Sequence, residues 1–166
     1  LNCANNQLTT LSLSGDTSLV ELDCSQNELT ALAMIDLSLL EKVNCSGNQL
    51  ETLDLSGNTT LIRLDCSGNA LTALDVTANG NLVELNCADN QLTDLSCFNY
   101  QNLTDLDCSG NQLTTLSVTE NPALTVLNCA ENQLTALDIT GLSLTSLDAS
   151  GNSRTIVPLS LIHISE

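Results

Sequence analysis

Basic residues are nearly missing from this sequence. Its 166 residues include three Lys or Arg against 20 Asp or Glu, which gives a formal net charge of -17. A nucleic-acid-binding protein needs clusters of Lys and Arg to neutralise phosphates. Attraction to an anionic membrane surface depends on the same side chains. We therefore expect neither nucleic acid nor an anionic membrane surface among the partners.

Aromatic residues and long apolar runs are also scarce. Aromatics make up 1% of the residues, and there is no Trp. A conventional globular core is doubtful, because aromatics usually supply much of the buried surface. No run approaches the ~18 apolar residues of a membrane helix, so we expect no membrane insertion by this segment. The abundance of leucine argues against disorder, which leaves one domain built from many small, similar units.

The dominant feature of the sequence is a repeat of 21 residues, as in residues 61–81, LIRLDCSGNALTALDVTANGN. Cysteine recurs at Cys3, Cys24, Cys45, Cys66, Cys87, Cys108 and Cys129. Asparagine keeps the same interval at Asn6, Asn27, Asn48, Asn69, Asn90, Asn111 and Asn132. Leucine also recurs every 21 residues in two series, which begin at Leu8 and Leu11. Repeats of this length predict a solenoid in which each coil packs only on its neighbours.

Each unit contains a weaker half-repeat. The segment L-x-C-x-x-N, residues 64–69, is followed by L-x-V-x-x-N, residues 74–79. Alternation of inward apolar and outward polar residues is the period of a strand. The pattern predicts two short strands in each coil, joined by turns, with little room for a helix. Paired strands in successive coils should lie ~4.8 Å apart.

The pattern L-x-x-L-x-C-x-x-N-x-L-x-x-L resembles the leucine-rich repeat family, over residues 1 to 152. The length of the unit, its cysteine and its second half resemble the short bacterial repeats of cell-surface and internalin-like proteins. The resemblance implies a right-handed solenoid with parallel strands, a mostly β member of the α/β-horseshoe class. It also implies that the face of the parallel sheet binds a ligand.

The repeated asparagine and cysteine have structural interpretations. An asparagine buried at a turn can pair with the backbone groups that leave the sheet there, so we expect a ladder of side-chain amides. Evenly spaced cysteines could instead indicate disulfides or a metal. However, there is no C-x-x-C pair and no nearby His, and parallel inward side chains do not point at each other. We expect free thiols that act as small apolar residues, and neither metal nor cofactor.

The outward positions of the first strand carry the candidate ligand-binding residues. The position before each cysteine alternates between Asn and Asp, which spaces like charges ~9.6 Å apart. Carboxylates that far apart cannot share a calcium ion. Two positions further back, Lys42 and Arg63 are flanked by acids, which predicts either a ladder of surface ion pairs or a mixed-charge recognition patch. The candidate face is Glu21, Asp23, Lys42, Asn44, Arg63, Asp65, Glu84, Asn86, Asp105 and Asp107.

Residues 97–102, CFNYQN, hold both aromatic residues of the chain, Phe98 and Tyr100. Tyr100 stands at the second asparagine position of its coil. The segment is either an aromatic interface anchor or one locally repacked turn. The outward positions of the second strand are occupied by small residues. A regular array of threonines there would suggest ice binding, but Ala and Asp interrupt the threonines, so ice binding is a minor alternative.

The repeat stops after Asn152, and the last coil is one residue short near Gly141–Ser143. We expect an array of about seven coils over residues 1–152, truncated at both ends, and an irregular tail over residues 153–166. Residues 159–166, LSLIHISE, resemble an in-frame translation of a transposase sequencing-library adapter, so we expect them to be non-native sequence on a metagenomic fragment. The alternative is a native apolar cap strand.

No catalytic constellation is present in the sequence, since the chain has a single His, which lies in this tail, and no Ser/His/Asp or Cys/His arrangement. We therefore expect a non-enzymatic module that binds a protein or glycan, or mediates adhesion, on an extracellular or surface protein of a bacterium. The alternatives are a structural spacer in a surface stalk and the substrate-recognition part of a larger enzyme.

Overall fold

A computed structural model describes residues 1–153 as a solenoid of short parallel strands. One strand of three residues opens each coil: β1 (Glu21–Asp23), β2 (Lys42–Asn44), β3 (Arg63–Asp65), β4 (Glu84–Asn86), β5 (Asp105–Asp107), β6 (Val126–Asn128) and β7 (Ser146–Asp148). They form a single sheet in the order β1-β2-β3-β4-β5-β6-β7, and every pairing is parallel. Residues 1–153 contain no helix. The predicted parallel-strand solenoid is confirmed.

The register of the sheet reproduces the repeat of the sequence. Glu21 aligns with Lys42, and every pairing up to β6 keeps this interval of 21 residues. The step from β6 to β7 is 20 residues, because the last coil is one residue shorter. An isolated bridge from Asn2 to Asp23 continues the sheet towards the start of the chain. Equivalent side chains therefore form straight columns across the sheet.

The core is a stack of leucines and thiols. Within each strand the middle residue points inward, as Leu64 does at 2% exposure. The cysteine that follows each strand is fully buried from Cys24 to Cys129, whereas Cys3 is half-buried. All eight cysteines are free. No group of three or more His, Cys, Asp or Glu within residues 1–153 is arranged to hold a metal ion.

The second strand of each coil is reduced to isolated bridges that join Ser96, Ser117 and Asp138. After the second apolar position the chain turns and does not stay extended. Asn58 N donates to Leu55 O at 3.0 Å, and Leu61 N then donates to Asn58 O at 3.2 Å. These two consecutive turns use backbone groups within the coil that a strand would pair with the neighbouring coil. One strand per coil, rather than two, is the observed arrangement.

The repeated asparagine lies where the chain leaves each strand. Asn48 Nδ2 donates to the carbonyls of Cys24 and Cys45 at 3.1 and 3.0 Å, and its Oδ1 accepts from Leu29 N at 3.0 Å. The same bonds recur along the column Asn27, Asn48, Asn69, Asn90, Asn111 and Asn132. Each amide thus ties its own coil to the preceding coil, and the column as a whole links the coils in series. Residues 154–166, including the segment expected to be non-native, lie outside the described residues.

Candidate interaction face

The outward side chains of β1–β5 line one continuous groove, which we call the strand face. Because side chains alternate along a strand, the first and third residue of each strand point away from the core. All ten candidate residues from Glu21 to Asp107 line this groove, whose volume is about 740 Å³. Asn2, Val126 and Asn128 belong to the same columns and extend it at both ends. The sequence signal for these three was their place in the repeat.

Both basic side chains of the strand face form ion pairs, and they turn in opposite directions. Lys42 Nζ lies 2.5 Å from Glu21 Oε1 on the preceding strand. Arg63 lies 3.0 Å from Glu84 Oε1 on the following strand. The bonded and charged Lys42 ammonium lowers the pKa of Glu21. The predicted ladder of surface ion pairs is therefore present, and all four side chains remain about half exposed.

The Asn/Asp column at the ends of the strands is fixed by hydrogen bonds. Asp65 Oδ1 accepts from the backbone N and the hydroxyl of Ser67, at 3.0 and 2.6 Å. Asn44 Oδ1 accepts from Ser46 in the same way, at 3.1 and 2.7 Å. An amide and a carboxylate therefore serve this local turn equally well.

Neighbouring members of this column also bond to one another. Asn128 Nδ2 donates to Asp107 Oδ2 at 3.0 Å, and Asn2 Nδ2 donates to Asp23 Oδ2 at 3.3 Å. At these two places an Asn supplies a donor where another carboxylate would repel, whereas Asn44 and Asn86 make no such bond to their column neighbours.

The two aromatic side chains within residues 97–102 differ in their exposure to solvent. Tyr100 is 6% exposed and belongs to the core, whereas Phe98 is 62% exposed. Local repacking therefore describes Tyr100, and Phe98 is the aromatic side chain available to a partner. Phe98 does not line the strand face. The sequence pattern showed both residues at irregular positions but did not distinguish inward from outward.

Known proteins share this architecture. A family model described as leucine-rich repeats (2 copies) matches residues 80–121 and 101–143. A leucine-rich repeat protein of Leptospira interrogans is 29% identical with a TM-score of 0.86, and the match covers 95% of this chain and 44% of that one. This chain is a leucine-rich repeat protein similar to bacterial ones. No curated protein sequence matches it significantly.

Two further structures are similar to this leucine-rich repeat chain. An internalin of Listeria monocytogenes, InlF, is 25% identical with a TM-score of 0.79, covering 89% of this chain and 53% of that one. YopM of Yersinia enterocolitica is 31% identical with a TM-score of 0.60, covering 82% of this chain and 34% of that one. The chain spans between about a third and about half of the length of these three structures.

Leucine-rich repeats are in general protein-interaction modules and are typically non-enzymatic scaffolds, and this chain has the leucine-rich repeat fold. No helix within residues 1–153 is long and apolar enough to cross a membrane.

Proposed function

We propose that this leucine-rich repeat array is a non-catalytic binding or adhesion module of a bacterial surface or secreted protein, and that it binds a protein or glycan through the strand face. The observation that carries the proposal is the groove of about 740 Å³ lined by outward side chains of consecutive strands. Ligand sites are concave surfaces with a few well-placed polar groups. The similarity to an internalin supports the surface or secreted location.

The rigidity of the strand face also supports recognition. The ion pairs from Lys42 and Arg63 hold long side chains in one arrangement, and the serine bonds hold the Asp/Asn column. A surface whose side chains are already ordered loses less conformational entropy when a partner binds. A structural spacer needs only the buried leucines and the asparagine ladder, so it would tolerate any change on this face.

Substitutions on the strand face test the proposal without disturbing the fold. In Asp65→Asn/Asp107→Asn each new amide keeps the oxygen that accepts from serine, as Asn44 does in its own coil, and the one bond given up is that from Asn128 Nδ2 to the other oxygen of Asp107. A matched control, Glu51→Gln/Asp94→Asn, removes the same charge at exposed positions outside the groove. Lys42→Ala/Arg63→Ala removes both cations of the face.

The labelled protein is tested against an array of purified extracellular proteins, a glycan array and intact cells. We expect at least one bound component, with binding changed by at least one of the two face variants and unchanged binding for the control pair. Thermal unfolding of each variant shows whether the fold is intact. If binding is absent, or survives every substitution on the face, the array is interpreted as a structural spacer and not as a binding module.

A further inference from the structure

The strand face carries uncompensated negative charge. Of its eight charged side chains, Lys42 and Arg63 are basic, and each is held by one acid. Residues 1–153 contain no other Lys or Arg. The acids of the face that no described Lys or Arg pairs are Asp23, Asp65, Asp105 and Asp107. A partner that complements this groove must itself bring positive charge.

Three of these carboxylates are evenly spaced. Asp23, Asp65 and Asp107 occupy the same column on alternate strands, β1, β3 and β5, in unbroken register. With ~4.8 Å between paired strands, successive carboxylates lie ~9.6 Å apart. The serine two residues later donates its hydroxyl to Oδ1 of each Asp, at 2.7, 2.6 and 2.6 Å, and so fixes its orientation. The groove therefore presents a row of oriented negative charges along the axis of the solenoid.

The spacing of this row distinguishes between conformations of a bound polypeptide. An extended strand presents side chains on one face every ~6.8 Å, which is too short. An α-helix repeats a face every seven residues, about 10.5 Å, and drifts by about 1 Å at each step. A polyproline II helix has three residues per turn at 3.1 Å each, so it repeats a face every ~9.3 Å. The last conformation matches the spacing of the three carboxylates most closely.

We infer that the strand face takes an extended cationic polypeptide in the polyproline II conformation, with Lys or Arg at every third residue. The inference rests on the proposed use of this face for binding. The partner lies across the strands, and its basic side chains reach Asp23, Asp65 and Asp107 in turn. Arg63 and Lys42 stay with their own acids, because both ion pairs lie in the neighbouring column, two residues nearer the start of each strand.

The test uses a fluorescent peptide of four Arg-Pro-Pro repeats and a control peptide of the same composition with all arginines contiguous. Anisotropy titrations at about 0.15 M salt measure the affinity for the wild type, Asp65→Asn/Asp107→Asn and Glu51→Gln/Asp94→Asn. We expect the spaced peptide to bind about tenfold more tightly than the contiguous one. We expect the face variant to lose about tenfold in affinity and the control variant to change little.

Equal affinity for the two peptides overturns the spacing argument, and so does absence of binding. An equal loss in both variants shows attraction to the overall charge of -17 rather than to the face. These failures differ from failure of the proposed function. A protein or glycan whose binding is weakened by Lys42→Ala/Arg63→Ala and not by the control pair would still establish the binding face, while the cationic partner would be rejected.

Discussion

The hydroxyl of Tyr100 donates a hydrogen bond to the backbone carbonyl of Val76, one coil earlier. In a neighbouring coil Asn79 Nδ2 makes the equivalent bond to Leu55 O, at 3.2 Å and at the same separation of 24 residues. The phenol therefore reaches the carbonyl that an asparagine amide would otherwise satisfy. Its larger ring fills the core at this irregular turn, which explains how a tyrosine replaces a buried asparagine.

Tyr100→Phe should lower the free energy of unfolding by about 0.5–1.5 kcal/mol, because the ring stays while the Val76 carbonyl loses one of its two donors and keeps Asn79 N. Equilibrium unfolding in urea measures the change. Phe98→Ala is the matched control, since that side chain is 62% exposed, and should change stability by less than about 0.5 kcal/mol. Equal effects of the two substitutions would contradict the buried bond.

The hydroxyl of Tyr100 should also lose its proton at an unusually high pH. Burial, followed by the nearby Cys97 and Asp75, raises its pKa from 10.0 to about 12. A raised pKa in the folded state means that the associated stability is complete below about pH 10 and is lost as the pH rises towards 12. Because this is the only Tyr in the chain, phenolate absorbance reports on it alone. A transition near pH 10 while circular dichroism still shows the folded protein would refute the burial.

The thiols should react in two classes. Burial raises the pKa of Cys66 and Cys97 to about 12, whereas Cys3 is only half-buried at the edge of the array. At about pH 8 Ellman's reagent should modify Cys3 alone in the folded protein, because the thiolate is the reactive form. The other thiols should react only after denaturant is added. Cys3→Ser should remove the fast phase. A fast phase that persists would show that the buried cysteines are accessible to the reagent.

Asn90→Ala should destabilise the solenoid by about 1–3 kcal/mol, because it leaves Leu71 N without an acceptor and removes one of two donors from each of three carbonyls. Asn90 Nδ2 donates to the carbonyls of Cys66, Cys87 and Ala88 at 3.1, 3.2 and 3.1 Å, and Oδ1 accepts from Leu71 N at 3.0 Å. Urea denaturation measures the loss.

The control for the asparagine ladder is Asn81→Ala, which removes a single exposed bond to Thr59 O. Its effect should be within about 0.5 kcal/mol. If Asn90→Ala is as mild as this control, the ladder does not join the coils as its hydrogen bonds indicate.

Glu131→Gly should stabilise the protein by about 1 kcal/mol. Glu131 has a φ of 52°, the left-handed region in which a side chain is strained. Gly110 occupies the equivalent position one coil earlier, with a φ of 64°. Differential scanning calorimetry should show a higher Tm for Glu131→Gly and a lower one for Gly110→Ala. A lower Tm for Glu131→Gly would mean that its side chain contributes more than its backbone strain costs.

The 21-residue interval determined most of the fold in advance. Because every coil repeats the same inward leucine, cysteine and asparagine, the register of β1–β7 and the columns of the strand face follow from the spacing alone. Side-chain alternation then places Asp23 and Asp65 outside and Cys24 inside. The sequence likewise indicated that Lys42 and Arg63 would meet acids, since register partners in a parallel sheet are neighbours.

Some contacts between side chains and between coils could be read only from the tertiary structure. In their column Lys42 has Glu21 and Arg63 has Glu84 as the one acidic register neighbour, and the structure shows that both ion pairs form and that each side chain remains about half exposed. The second half of each coil forms at most isolated bridges to its neighbours and then turns, so it builds no second sheet. Tyr100 lies inside because its hydroxyl can reach a carbonyl one coil away. Contacts between coils fix these outcomes, and a periodic sequence pattern encodes positions but not which of several competing contacts forms.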